Sequence, residues 1–152
     1  MFAPEYKLFN EQFLQLWFEE HMEHCLSSWK FICKNPNAIP ILEKNLDQVE
    51  WSYLCSNPSA IHLLEKNLNK LKNTDLVQLS GNLNVIHSKK ILSKIYNLNE
   101  RHQKMCFYKL SSNQNAISIL EKNLNKVNWY ELSKNPNAIH LLEQNPEKIN
   151  WY

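Results

Sequence analysis

Histidine and cysteine are the residues of this chain with the widest chemical reach, and it carries six of the first and four of the second. A zinc site or a Cys–His nucleophile would have to be assembled from them. His21 and Cys25 stand four residues apart, as two ligands on one helix face would, with His24 and Cys33 nearby in sequence. Packing of an N-terminal helix accounts for that cluster without a metal, because Cys33 recurs later in the chain as Cys55 and Ser133. Cys25, Cys33, Cys55 and Cys106 have no close-paired spacing. Gly81 is the only glycine, so neither an oxyanion-hole loop nor a phosphate-cradling loop can be written from this sequence. The expectation is no catalytic residue, no metal and no cofactor.

Composition narrows the classes further. Net charge is +2 from 17 basic and 15 acidic residues, too balanced for an electrostatic device aimed at nucleic acid or a membrane surface. Arg101 is the single arginine, and guanidinium forks are the usual readers of phosphate and base edges. A nucleic-acid partner is therefore disfavoured. No stretch approaches the roughly 18 apolar residues of a membrane span, and Met1 to Lys7 lacks the start of a signal peptide. An intracellular protein with reduced thiols is expected. Asparagine occurs 21 times, and in a chain with one glycine it is the natural choice for backbone positions with φ > 0.

The elements that position these residues are repeated. Asn35-Pro36-Asn37-Ala38-Ile39 recurs from Asn57, Asn113 and Asn135, with a degenerate copy from Asn82. The spacings are 22, 25, 31 and 22 residues, so two units carry insertions of about three and nine. Ile41-Leu42-Glu43-Lys44-Asn45-Leu46 returns as Leu63-Leu64-Glu65-Lys66-Asn67-Leu68 and Ile119-Leu120-Glu121-Lys122-Asn123-Leu124. Six residues before each opening Asn stands Trp29, Trp51, Leu76, Phe107 or Trp129, and three before it Ile32, Leu54, Leu79, Leu110 or Leu132.

Each unit reads as two short helices. Asn followed by Pro is an N-cap with proline at the first helical position. Apolar residues at +3, +4, +7 and +11 from that Asn form a stripe about 100° wide. Asn45, Asn67 and Asn123 fit left-handed residues closing this first helix. Asn128-Trp129-Tyr130-Glu131 has the spacing of a capping box and opens the second helix, which ends at the next unit's Asn. Helices this short must bury their stripes on neighbours, and a tandem array does so by stacking. Trp51 and Trp129 should then be largely buried. The repeated asparagines fit solvated caps, the alternative being a hydrogen-bonded ladder.

The expected architecture is all-α: a right-handed-type α-solenoid of short helix pairs, about 22 residues per repeat. Residues 1–28 would form a longer N-terminal capping helix over Asn10 to Leu26, and residues 29–152 the repeats, in a single domain. Trp151 would close the core as a crude cap, or the chain would be one end of a longer array. In the irregular unit, Asn97 to His102 reads as a longer loop.

On this scheme His62, His87 and His140 share position +5, about 140° from the centre of the apolar arc, and should be exposed. Units stack about 10 Å apart, too far for adjacent histidines to share a zinc ion whose ligands lie about 2 Å from it. Lys44, Lys66 and Lys122 at +9, with Lys70, Lys126 and Lys148 at +13, interleave with glutamates at +8 and fit a solvated face. The histidines and the +9 lysines together make the candidate binding face.

The Asn-Pro-Asn-Ala-Ile-x-Leu-Leu-Glu-x-Asn and Asn-Trp-x-x-Leu-Ser units resemble the Asn-rich short-repeat proteins of nucleocytoplasmic large DNA viruses, of mimivirus and iridovirus type. The resemblance covers residues 29 to 152. It implies a viral protein in the host cytoplasm or the virion, and brings no catalytic residue with it. The function expected is a non-enzymatic scaffold for protein–protein interaction. The alternatives are a structural virion component acting by self-association and, more weakly, a nucleic-acid-binding repeat.

Overall fold

The structure is a computed structural model describing residues 29–151. The capping helix expected over Asn10 to Leu26, with His21, His24 and Cys25, lies outside the described residues. All regular structure among the described residues is helical, without a strand. In chain order the α-helices are α1 Trp29–Lys34, α2 Ile39–Lys44, α3 Trp51–Leu54, α4 Ile61–Lys66 and α5 Asn73–Leu79. They continue as α6 Lys89–Tyr96, α7 Glu100–Ser112, α8 Ile117–Glu121, α9 Trp129–Leu132 and α10 Ile139–Glu143. The odd-numbered helices pack on one another in chain order, α1 on α3, α3 on α5, α5 on α7 and α7 on α9.

Asn–Pro does more than start a helix. Asn35 takes φ −78° and ψ 118°, the extended geometry that suits both an N-cap and the residue before proline. Its Oδ1 accepts from Asn37 N at 3.0 Å, and Pro36–Ala38 form a 3-10 turn that runs into α2. The same cap recurs at Ser59, Asn84, Asn115 and Asn137, at 2.9 to 3.1 Å. It survives where Leu83 or Gln114 replaces the proline, so the asparagine side chain fixes the turn.

Four of the five opening asparagines are buried, which corrects the expectation of solvated caps. Asn57, Asn82, Asn113 and Asn135 are between 0% and 5% exposed. Each backbone N–H donates to the carbonyl three residues back, closing the preceding helix, at 2.9 to 3.0 Å. Each Nδ2 donates to the unit before. Asn57 reaches Cys33 O and Asn35 O, Asn82 reaches Cys55 O and Asn57 O, and Asn113 reaches Asn82 O. Asn135 reaches Ser111 O at 3.0 Å and Asn113 O at 3.2 Å. A partly exposed second row runs beside it, from Asn84, Asn115 and Asn137 to Pro58 O, Leu83 O and Gln114 O.

The asparagines that end the first helices also act through their amides. Asn45, Asn67, Asn123 and Asn145 donate Nδ2 to the carbonyl four residues earlier at 2.7 to 2.9 Å. Their φ values run from −117° to −138°, and no described residue has positive φ. The expected left-handed closure is therefore replaced by a side-chain closure. The Asn128 cap keeps only half of a capping box. Glu131 N donates to Asn128 Oδ1 at 2.9 Å, while Asn128 N donates to Ser111 Oγ.

The core follows the second helices. Ile32, Leu54, Leu79, Leu110 and Leu132 are all buried, and so are Ala38, Ala60, Val85, Ala116 and Ala138 at +3. The large-residue position divides by helix length. Leu76 and Phe107 are buried on α5 and α7, of 7 and 13 residues, whereas Trp51 and Trp129 are half-buried on helices of 4. Trp51 and Trp129 thus pack against the core as expected, with part of each indole left open on a helix of one turn. Lys148 Nζ instead stands 5.2 Å from the Trp129 ring, and Lys126 Nζ 5.4 Å from the Phe107 ring, covering their open sides. Trp151 is 81% exposed and closes nothing. Asn150 N is held by Ser133 Oγ at 3.0 Å.

The irregular unit is helical where a loop was expected. Asn99 caps α7 through His102 N at 3.0 Å, leaving only Asn97–Asn99 between α6 and α7. The three-residue insertion likewise lengthens α5 to 7 residues from the 4 of α3.

Asn57→Asp keeps the Oδ1 cap but turns a carboxylate oxygen toward the Cys33 and Asn35 carbonyls. It should destabilise the fold by about 2–4 kcal/mol, at least as much as Asn57→Ala. The partly exposed Asn137→Ala should cost below about 1 kcal/mol. Urea unfolding of the three variants checks the order, and an Asp variant close to wild type would remove the ladder from the account.

Candidate binding surfaces

The candidate face is built from the first helices. His62 and His140 have side chains about half exposed, and each meets the glutamate of the preceding unit. His62 Nε2 lies 3.2 Å from Glu43 Oε1, and His140 Nε2 lies 2.7 Å from Glu121 Oε1. The partners are 19 residues apart in both pairs, so the contact repeats with the units. His87 is exposed in the turn Val85–His87, and in its unit Lys90 takes the glutamate, 3.5 Å from Glu65 Oε1. Lys44, Lys66 and Lys122 are exposed and join no ion pair among the described residues. The +13 lysines do not continue this face, since Lys126 and Lys148 lie over aromatic rings of the second layer.

Among the described residues no group of three or more His, Cys, Asp or Glu side chains could hold a metal ion. Cys33, Cys55 and Cys106 are buried free thiols. Burial pushes the Cys55 thiol up to about 12, with help from the Asp75 carboxylate. Burial also raises Cys33 and Cys106, partly offset by the Glu50 backbone N–H and by Ser80 respectively. Thiols held neutral in this way are poor nucleophiles. They serve packing, and Cys33 and Cys55 stand at the position where Ser111 and Ser133 accept a backbone N–H from 17 residues ahead. No described helix is long and apolar enough to cross a membrane.

A second surface went unnoticed in the sequence. It is a groove of about 900 Å³ along α7, walled on the other side by Asn125–Asn128. Arg101, Lys104, Met105 and Tyr108 line it at i, i+3, i+4 and i+7, one stripe of a helix. The pointers were the nine-residue insertion and the single arginine inside it. At its end Tyr108 OH donates to Glu131 Oε1 at 2.8 Å, Lys134 Nζ approaches the same oxygen at 3.1 Å, and Lys134 lies 3.6 Å from the Tyr130 ring centroid. Compared with known proteins, the chain matches no family model, no curated protein and no solved structure.

Glu131 is the acid-sensitive group of this network. Burial resists its ionisation, but the hydrogen bonds from Tyr108 and Lys134 and the Lys134 and Lys109 charges outweigh burial, so its pKa lies below the ordinary glutamate value. A depressed folded-state pKa stabilises the fold above the unfolded value, about 4.3, and that contribution is lost as pH falls through the folded value. Glu131→Gln should therefore remove part of the stability difference between pH 6 and pH 3, read as thermal midpoints. An unchanged acid limb would show that the network carries no linkage.

Proposed function

We propose that this chain is a non-enzymatic helical-repeat scaffold, an α-solenoid with a period of about 22 residues, that binds a protein partner. The observation that carries the reading is the row of buried asparagine amides. They bond unit to unit across 22, 25, 31 and 22 residues, which is the repeat itself. A framework held by backbone carbonyls and one invariant-type side chain leaves the outer positions free to take whatever residues a partner needs. His62, His87, His140, Lys44, Lys66 and Lys122 occupy such positions, and we assign the partner to that face. The viral assignment, with a partner in the host cytoplasm or the virion, rests on the resemblance of the repeat units alone.

One observation favours self-association as the second reading. Ile139 is 61% exposed, whereas its equivalent Ile39 is 9% exposed beneath the following unit. The unit opened by Asn135 thus presents apolar surface of the kind covered in the unit opened by Asn35.

Pull-down with the tagged chain tests the primary reading. One defined protein should be captured, and Lys44→Glu, Lys66→Glu and Lys122→Glu together should abolish capture. His62→Ala with His140→Ala should weaken capture and change stability by no more than about 0.5 kcal/mol per site. Concentration-dependent oligomers in light scattering with no captured protein would favour self-association. Salt-dependent binding of labelled DNA or RNA would overturn both.

A further inference from the structure

We propose that the groove along α7 binds an acidic peptide segment anchored by an apolar side chain. The inference rests on the scaffold reading of the chain, and not on the histidine face.

The groove exists because α7 outruns its neighbour. Its 13 residues span about 20 Å, against about 6 Å for the 4 residues of α9. The N-terminal half of α7 therefore overhangs, with no second-layer helix beside it on the α9 side. Its flank is apolar at the centre. Met105 is 46% and Tyr108 43% exposed there, with Val77 and Val127 at the base. Exposed methionine is adaptable surface, able to fit an inserted side chain of either branched or aromatic shape.

The rim is mainly basic. Arg101, Lys104, Lys109 and Lys126 line the groove, against the single carboxylate of Glu100. Arg101 and Lys104 are exposed and make no ion pair among the described residues. Lys126 spends its ammonium on the Tyr96 and Phe107 rings, 5.4 Å from each, and Lys109 faces Glu131. Two unpaired cations one helical turn apart, beside an apolar strip, complement a peptide whose carboxylates flank one apolar residue. Nucleic acid fits less well, because the strip offers one exposed aromatic ring and one guanidinium where stacking platforms need several.

Proton–nitrogen correlation spectra of the whole chain, titrated with the peptide Glu-Asp-Glu-Leu-Phe-Asp-Glu-Asp, test this directly. Saturable shifts should cluster on Val77, residues 100–109 and residues 125–128. Arg101→Glu with Lys104→Glu, both exposed substitutions that keep the spectrum of the folded chain, should weaken binding at least about tenfold. Met105→Asp should do the same, and a peptide with Ser-Ser in place of Leu-Phe should bind more weakly than the parent. Absence of saturable shifts, shifts spread over the surface, or indifference to both variants would overturn the proposal. So would an oligothymidylate that shifts the same residues more strongly than the peptide. Because Lys44, Lys66 and Lys122 lie outside the groove, absence of saturable peptide shifts alongside partner capture that depends on those lysines would refute this site while leaving the scaffold reading intact.

Discussion

A buried primary amide must satisfy one acceptor and two donor hydrogens, and that requirement organises this fold. From Asn57 onward the opening asparagine meets it by capping the turn ahead through Oδ1 and donating Nδ2 across the unit boundary, while its backbone N–H closes the helix behind. No other coded side chain combines the cap with the cross-unit donation. Aspartate lacks the donor, serine is too short to reach the preceding carbonyls, and glutamine would overshoot the cap. Leaving such groups unpaired in the interior costs more than the pairing gains, so the bonds fix which unit sits on which and in what register. Among the described residues no buried side-chain nitrogen or oxygen lacks a partner.

This frame explains how helices of one turn persist. α3 and α9 have 4 residues each and could not hold their shape in water alone. Their leucines are buried between neighbours, and each fully buried Leu contributes about 1.5–3 kcal/mol. Because register comes from the asparagines, added residues can lengthen a helix without disturbing the row. α7 carries most of the nine-residue insertion in this way, and the groove beside it is the geometric consequence.

Much of this was legible in the sequence, and the failures have identifiable causes. The helical class follows from the apolar spacing after Asn-x-x-Ala-Ile and from the Leu three residues before each Asn. The role of asparagine is not legible because scarcity of glycine points to backbone freedom, whereas the chain uses the side-chain amide. Spacing alone does not reveal that Asn57 is buried, since burial depends on the unit stacked against it. The lesser cover of Trp51 compared with Leu76 is not legible, because residue type at a repeat position says nothing about the length of the helix that must cover it. The histidine–glutamate pairs lie 19 residues apart, an offset that has meaning only once neighbouring units are adjacent. Arg101, Lys104, Met105 and Tyr108 do have helical spacing, but the polar run from Asn97 to His102 concealed the start of their helix.

The central claim is that the inter-unit amides are buried donors. Hydrogen–deuterium exchange of asparagine side-chain amides, followed by NMR, reads it most directly. The Nδ2 protons of Asn57, Asn82, Asn113 and Asn135 should be protected to the level of core backbone amides, while those of Asn84, Asn115 and Asn137 exchange much faster. Equal, rapid exchange in both sets would contradict the account, because the row that sets the register would then be open to water.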